Sequence, residues 1–232
     1  TANISTTSDI LSSDIPSNAT LPTTAMDVSN ESKLKAKIAT KVGNIDLASE
    51  ALKQEVTITY TYTPAVGNNP ASVTVEVKPS TSASNNVVNS RKVSFPVKTD
   101  ISNASIALAN TSESFTYNGN AQTPYYGVTV KVGNNIIPTS GYTVAYSNNV
   151  NGGTYARATV KGVGLYSGTA TSSDLFYINP KAITASGVTI DVSTGATDVP
   201  PTVTVKDGTK VLTKDTDYEV SFSGNVATIT GK

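Results

Sequence analysis

Two stretches of this chain, about 75 residues apart, say nearly the same thing, and no other feature constrains the fold so tightly. "VTVKVG" at 128–133 returns as "VTVKDG" at 203–208, "GYTVAY" at 141–146 as "DYEVSF" at 217–222, and "ATVKG" at 158–162 as "ATITG" at 227–231. The offsets are 75, 76 and 69, so the copies share a register apart from one shortened turn. Short apolar runs fill the first copy: Val128 and Val130, then Tyr142, Val144 and Tyr146, then Tyr155, Ala158 and Val160, then Leu175, Tyr177 and Ile178. Gly/Asn turn signals separate them roughly every 8–12 residues, the spacing of a β-sandwich. A period near 75 is too long for one solenoid unit and suits a whole small sandwich, so the copies read as beads on a string. The first copy continues after "ATVKG" to "FYINPK" at 176–181, whereas only Lys232 follows "ATITG". The second copy is therefore expected to lack its last strand. Either the chain is one piece of a longer array, the reading adopted, or a neighbouring molecule supplies the strand.

Upstream the period changes. Residues 1–30 are dominated by Ser and Thr with isolated apolar residues; such a segment buries little and is expected to be extended and loosely attached. Its triplets at Asn3, Asn18 and Asn30 match the glycosylation acceptor pattern, which arises freely in such a composition. "ESKLKAKIATKV" at 31–42 reads as a helix, with Leu34, Ile38 and Val42 on one face, Ser29 or Asn30 as cap and Gly43 as stop. A second helical turn is expected at 47–52. Period two follows: "VTITYTY" sets Val56, Ile58, Tyr60 and Tyr62 on one side, "SVTVEV" sets Val73, Val75 and Val77 inward, and "KVSFPV" does so with Val93, Phe95 and Val97. The expected fold class is mainly β. A small α+β domain at 31–99, one helix over an antiparallel meander, is followed by tandem immunoglobulin-like sandwiches at 100–182 and, truncated, at 183–232.

Composition excludes several function classes. Lys plus Arg equals Asp plus Glu at 17 each, which removes the electrostatic argument for nucleic acid, since binding by counterion release needs a basic face. No apolar run reaches the roughly 20 residues of a membrane span, so neither nucleic acid nor membrane insertion is expected. There is no Cys, His or Trp; disulfides, thiolate chemistry and the usual metal ligand and general base are absent. Such a balance suits an exported bacterial protein.

The run "YNGNAQTP…VTVKVGNN…GYTVAYSNNVNGGTYARATVKGVGLYSGT…FYINPK" resembles the tandem immunoglobulin-like repeats of Gram-positive bacterial cell-surface and S-layer proteins. Tyr117 with Gly119 fits the opening of those repeats; Tyr142, Val144 and Tyr146 fit their Asp-Tyr-x-Val-x-Tyr strand, with Gly141 in place of the Asp. Gly162, Gly164, Tyr166 and Gly168 fit their "GxGxYxG" segment, and Phe176 with Ile178 the close. The resemblance covers about 101–232. It implies an extracellular location at the cell surface or wall and modules that serve as spacers, adhesive units or assembly domains.

Few residues carry chemistry. "GVGLYSG" lacks the lysine and the spacing of a phosphate loop, and its glycines suit tight turns. Lys161 and Lys181 lie near Asn-rich strands, as an internal Lys–Asn bond would require, but no acid motif accompanies them. "KDTDYEV" sets Asp215, Asp217 and Glu219 on one face of a strand, a weak candidate for a hard cation. The first copy has Thr139, Gly141 and Thr143 there, and Lys206, Lys210 and Lys214 flank the acids, so a solvated face is the stronger reading and no metal or cofactor is expected. Tyrosine is the enriched chemistry: eight of 11 fall between Tyr117 and Tyr177. Tyr125 and Tyr126 are adjacent, so on a strand they face opposite ways and one is exposed. Tyr125, Tyr126 and Tyr166 are the candidate contact residues, while Tyr142, Tyr146 and Tyr155 are expected in the core.

The function expected is structural and not enzymatic: a component of the bacterial surface, an S-layer or stalk, assembling with copies of itself or neighbouring surface domains. The alternative is an adhesin or carbohydrate-binding module that grips cell-wall or host glycans through exposed tyrosines; a third reading is an accessory module of a secreted enzyme.

Overall fold

The computed structural model describes residues 1–17, 25–49, 55–66, 68–80, 90–193, 201–224 and 226–232. It is mainly β, with short helical pieces at Ser12–Asp14, Ser32–Lys37 and Thr139–Gly141 among the described residues. It forms two compact units. The first comprises Thr1–Ser105, Val130–Val144 and Thr159–Ala170; the second comprises Ile106–Thr129, Ala145–Ala158 and Thr171–Lys232. No described helix is long and apolar enough to cross a membrane.

The first unit is built on the alternation seen in the sequence. Strands Val56–Thr63, Ser72–Pro79 and Arg91–Asp100 form an antiparallel meander, with Tyr60 opposite Val75 and Val75 opposite Val93. Because side chains alternate across a sheet, this register puts Val73, Val75 and Val77 wholly inside, with Tyr60, Tyr62 and Val97 beside them. Each buried valine is worth about 1.5–3 kcal/mol relative to exposure.

What covers that face departs from expectation. Residues 1–15 are integral to the core and not loosely attached: Ala2, Ile4, Ile10 and Ile15 are buried in the same cluster. Strand Asn3–Thr6 pairs antiparallel with Ile38–Val42, and Ile10–Leu11 lies parallel to the last meander strand, Ile10 against Val97. Isolated isoleucines in a Ser/Thr-rich stretch are enough once each fills a slot in a sheet formed elsewhere. The helix is also shorter than the periodicity predicts. It spans Ser32–Lys37 and turns into strand Ile38–Val42, since Ile38, Thr40 and Val42 satisfy a period of two as well as Leu34, Ile38 and Val42 satisfy a period of four. The β-branched residues take the extended form because the N-terminal strand offers them a ladder. Ser29 does not cap the helix; its hydroxyl donates to Asp27 and accepts from the Tyr60 N–H. Gly43 is a hairpin turn. Leu47 is buried, but the rest of the turn expected at 47–52 extends past the described residues, as does Asn18.

In the second unit, Phe115–Thr116 pairs parallel with Phe176–Asn179, Phe115 against Ile178, and Tyr155 of strand Thr154–Gly162 pairs antiparallel with Tyr177. Phe115, Ala156, Phe176 and Ile178 form its core, with the two phenylalanine rings stacked at 3.9 Å. Further along, Val188–Ser193 pairs with Thr202–Asp207, and Tyr218–Ser223 forms a hairpin with Val226–Gly231. Tyr218 is buried and donates its hydroxyl to the Val203 carbonyl.

Among the described residues one hairpin recurs at three places that share a buried strand position, and Gly224, at φ 56° between the paired Ser223 and Val226, repeats its pairing and glycine conformation without that buried position. Val42 pairs with Ile45, Val132 with Asn135 and Asp207 with Lys210. Each loop begins with a glycine at φ of 58°, 57° and 59° (Gly43, Gly133 and Gly208), the left-handed value a two-residue II′ loop demands at its first position. Each is closed by the same hydrogen bond, Leu47 N–H to Thr40, Ile137 N–H to Val130 and Leu212 N–H to Val205, at 2.8–2.9 Å. Thr40, Val130 and Val205 are all buried. The first of these hairpins lies where the sequence pattern reads as helix.

Candidate functional site

The candidate tyrosines separate into different roles. Pro124, Tyr125, Tyr126 and Gly127 form a four-residue turn closed by the Gly127 N–H donating to the Pro124 carbonyl at 3.2 Å. Pro124 is buried and anchors it, and Gly127 leaves it at φ 72°. The two tyrosines occupy the corners of a turn, not a strand, and so do not face opposite ways. Both project into solvent, Tyr125 at 87% and Tyr126 at 61% exposure. Their rings meet edge to face, centroids 5.0 Å apart and planes at 86°, a favoured aromatic geometry. The turn is held from below by Glu113. Its carboxylate accepts the Tyr125 N–H at 2.7 Å and the Tyr126 N–H at 3.3 Å, one on each oxygen. Bonds from N–H groups to a carboxylate are the stronger kind, so the turn is fixed by a charge that composition gave no reason to single out.

Tyr166 belongs to the first unit and is half-buried in a short strand parallel to Arg91–Asp100, Tyr166 against Thr99. Its ring covers Gly141: a Cβ on residue 141 would lie 2.5 Å from the ring carbon Cδ2. Residue 141 therefore has no room for a side chain, and the Tyr166 ring packs over it. The glycines around it serve as turn and contact residues. A Cβ on Gly168, at φ 94°, would run into Ser102 Oγ, and one on Gly162 would meet the Ser167 nitrogen at 2.7 Å.

Tyr142 is buried as expected, whereas Tyr155 is not. Tyr155 is 51% exposed and packs across the strand pair on Tyr177, 37% exposed, ring centroids 4.9 Å apart. Parity could have revealed this pair: 155 is out of phase with the buried positions 156, 158 and 160, and 177 with 176 and 178.

The acids at 215–219 do not share a strand face. The strand begins at Tyr218. Asp215 sits before it at φ 68°, Asp217 accepts the Thr213 N–H at 2.7 Å, and Glu219 pairs with Lys232 at 2.7 Å. Among the described residues no group of three or more potential metal-binding side chains is gathered. Nearby, within the second unit, is a cleft of about 390 Å³ lined by Tyr117, Lys181, Leu212, Asp207 and Lys210 among others. Its charges are engaged with one another. The Lys181 ammonium bonds to Asp207, and the Lys210 ammonium donates to the Tyr117 hydroxyl and stands 5.0 Å from that ring's centroid. Hydrogen bonding to Tyr117 is the main cause that raises the Lys210 pKa. The cleft is thus braced, while the Tyr125–Tyr126 turn offers unengaged aromatic surface.

No family model matches the chain, and neither a curated protein nor a solved structure matches it.

Proposed function

We propose that this chain is a structural, non-catalytic component of a bacterial cell surface, made of modules that share one strand plan and assemble with copies of themselves or with neighbouring surface domains. The observation that carries the reading is the hairpin seen three times with one register, one glycine conformation and one closing bond. Other pairings extend the correspondence to the N-terminal part. Ile10 lies parallel to Val97 as Phe115 does to Ile178. Strand Ser72–Pro79 pairs antiparallel with Arg91–Asp100 as Thr154–Gly162 does with Phe176–Asn179. Ile4 faces Thr40 as Ile190 faces Val205. The plan is therefore read as starting near residue 1, again near 101 and again near 183, with the short helix Ser32–Lys37 an insertion before the first hairpin. Repetition of a module suits a spacer or lattice, which needs complementary edges and loops in place of catalytic groups.

Sedimentation velocity and electron microscopy of the full chain over a wide concentration range test this. Ordered oligomers that grow with concentration, without added ligand, are expected. A monomer at every concentration would refute the assembly role.

A further inference from the structure

We propose that the Tyr125–Tyr126 turn is a binding site for a neutral glycan. The inference goes beyond the scaffold reading, since a spacer does not require it. Turn corners ordinarily carry Gly, Asn, Asp, Pro or Ser, which gain hydrogen bonds or backbone freedom there. Two tyrosines gain neither. They leave most of two rings in water, and the recurring hairpin does not call for them, because the turn lies before it, at 124–127, outside the bonds that define it.

The arrangement is one of anchors held ready. Glu113 fixes both backbone amides, and buried Pro124 fixes the entry to the turn. Tyrosine, with two side-chain torsions, then loses little freedom on contact. The edge-to-face pair leaves ring face open to solvent. Such a face is electron-rich and attracts polarised C–H groups, which the apolar side of a pyranose ring presents in a row. The surroundings favour a neutral polyol over an ionic ligand. Across 106–129 Glu113 is the only charged residue, and its two oxygens are taken by the turn. Neutral donors and acceptors stand on the adjoining segments, at Asn110, Thr111, Ser112, Gln122 and Thr123. The segment that carries the turn itself offers no cation to an acidic polymer.

Affinity electrophoresis of the full chain in native gels containing hydroxyethyl cellulose, dextran or polygalacturonate tests the assignment, with thermal melts run in parallel. Retardation by a neutral polysaccharide is expected, lowered about tenfold or more in apparent affinity by Tyr125→Ala and by Tyr126→Ala, with Tyr125→Phe keeping most of it. The alanine variants are expected to melt with the parent chain. Retardation by neither neutral polymer overturns the proposal, as does retardation by polygalacturonate alone or retardation unchanged in both alanine variants. If Tyr125→Ala unfolds the protein, the ring is structural and the site fails. If instead it abolishes self-association in the absence of glycan, the surface is a protein contact; the glycan assignment then falls while the scaffold reading stands.

Discussion

Thr40 occupies a slot that two other hairpins fill with valine, and the difference is measurable. Thr40, Val130 and Val205 are 1%, 0% and 0% exposed and accept the same closing hydrogen bond through their carbonyls. The Thr40 hydroxyl has no hydrogen-bond partner among the described residues. A buried hydroxyl without a partner costs about 1–3 kcal/mol in proteins. Valine has the same branched shape, the same restricted χ1 and a higher preference for strands. Thr40→Val is therefore expected to stabilise the chain by about 1–2 kcal/mol. At about 2–4 °C per kcal/mol for a protein of this size, the melting temperature rises by about 2–8 °C. The reciprocal changes Val130→Thr and Val205→Thr are expected to lower stability by a similar amount. With no tryptophan in the chain, tyrosine fluorescence and near-UV circular dichroism report the transition; Tyr60 and Tyr62 lie in the core cluster of that unit. An unchanged or lower stability for Thr40→Val would show that the hydroxyl is satisfied and the slot is not the counterpart of the valine positions. The structural correspondence between the hairpins would lose its energetic meaning.

Three further outcomes are expected. Ile10→Ala removes three carbons from a buried site against Val97; at about 0.8 kcal/mol for each, plus a cavity term, the loss is about 3–4 kcal/mol. Urea denaturation measures it, and a loss below about 0.5 kcal/mol, the range expected for exposed Ser8→Ala, would return the N-terminal segment to the surface. Gly141→Ala forces a Cβ against the Tyr166 ring and is expected to cost about 1–3 kcal/mol by overpacking. Adding Tyr166→Ala relieves that clash, so in a double-mutant cycle of thermal melts the pair costs less than the sum; strict additivity would refute the contact. Stability is expected to fall at both ends of the pH range. The Asp9 carboxyl is held below its usual range by hydrogen bonds from Lys98 and Ser167, and Asp27 and Asp100 by bonds from Ser29 and Ser102. Their contribution is present above about pH 4 and is lost as the pH drops through the lowered folded values. Burial raises the Tyr60 and Tyr142 hydroxyls, so stability also declines as the pH rises past about 10. Asp9→Asn should flatten part of the acid limb in pH-dependent melts, and an unchanged limb would exclude that carboxylate.

Period two in the sequence located the meander because its residues face one buried surface and one wet one; Val73, Val75 and Val77 are legible for that reason alone. The same rule failed where the evidence for a strand lies in another segment. Ile38–Val42 is extended because Asn3–Thr6 pairs with it and Ile45–Asp46 turns back on it, and neither partner is visible in a window that also fits a helical face. The clue was available in a comparison not of apolar period but of turns. "KVGN" at 41–44 repeats "KVGN" at 131–134, and Lys206 with Gly208 keeps the lysine and the glycine of both. A glycine that must adopt a positive φ is a stronger marker of shared local structure than the residues around it, since few alternatives are tolerated there. Thr40 hid the match, for it is the one core position of the three where the apolar residue is replaced by a polar isostere. The candidate site follows the same division. That adjacent tyrosines include exposed surface can be read from Tyr125 and Tyr126 alone. That both rings are exposed, and held so, depends on Glu113, 12 and 13 residues away, and on a turn whose corners propensity would have given to smaller residues. Tyr125 and Tyr126 thus differ from Tyr166 in what holds them: a distant carboxylate fixes the backbone beneath the exposed pair, whereas the Tyr166 ring packs over Gly141.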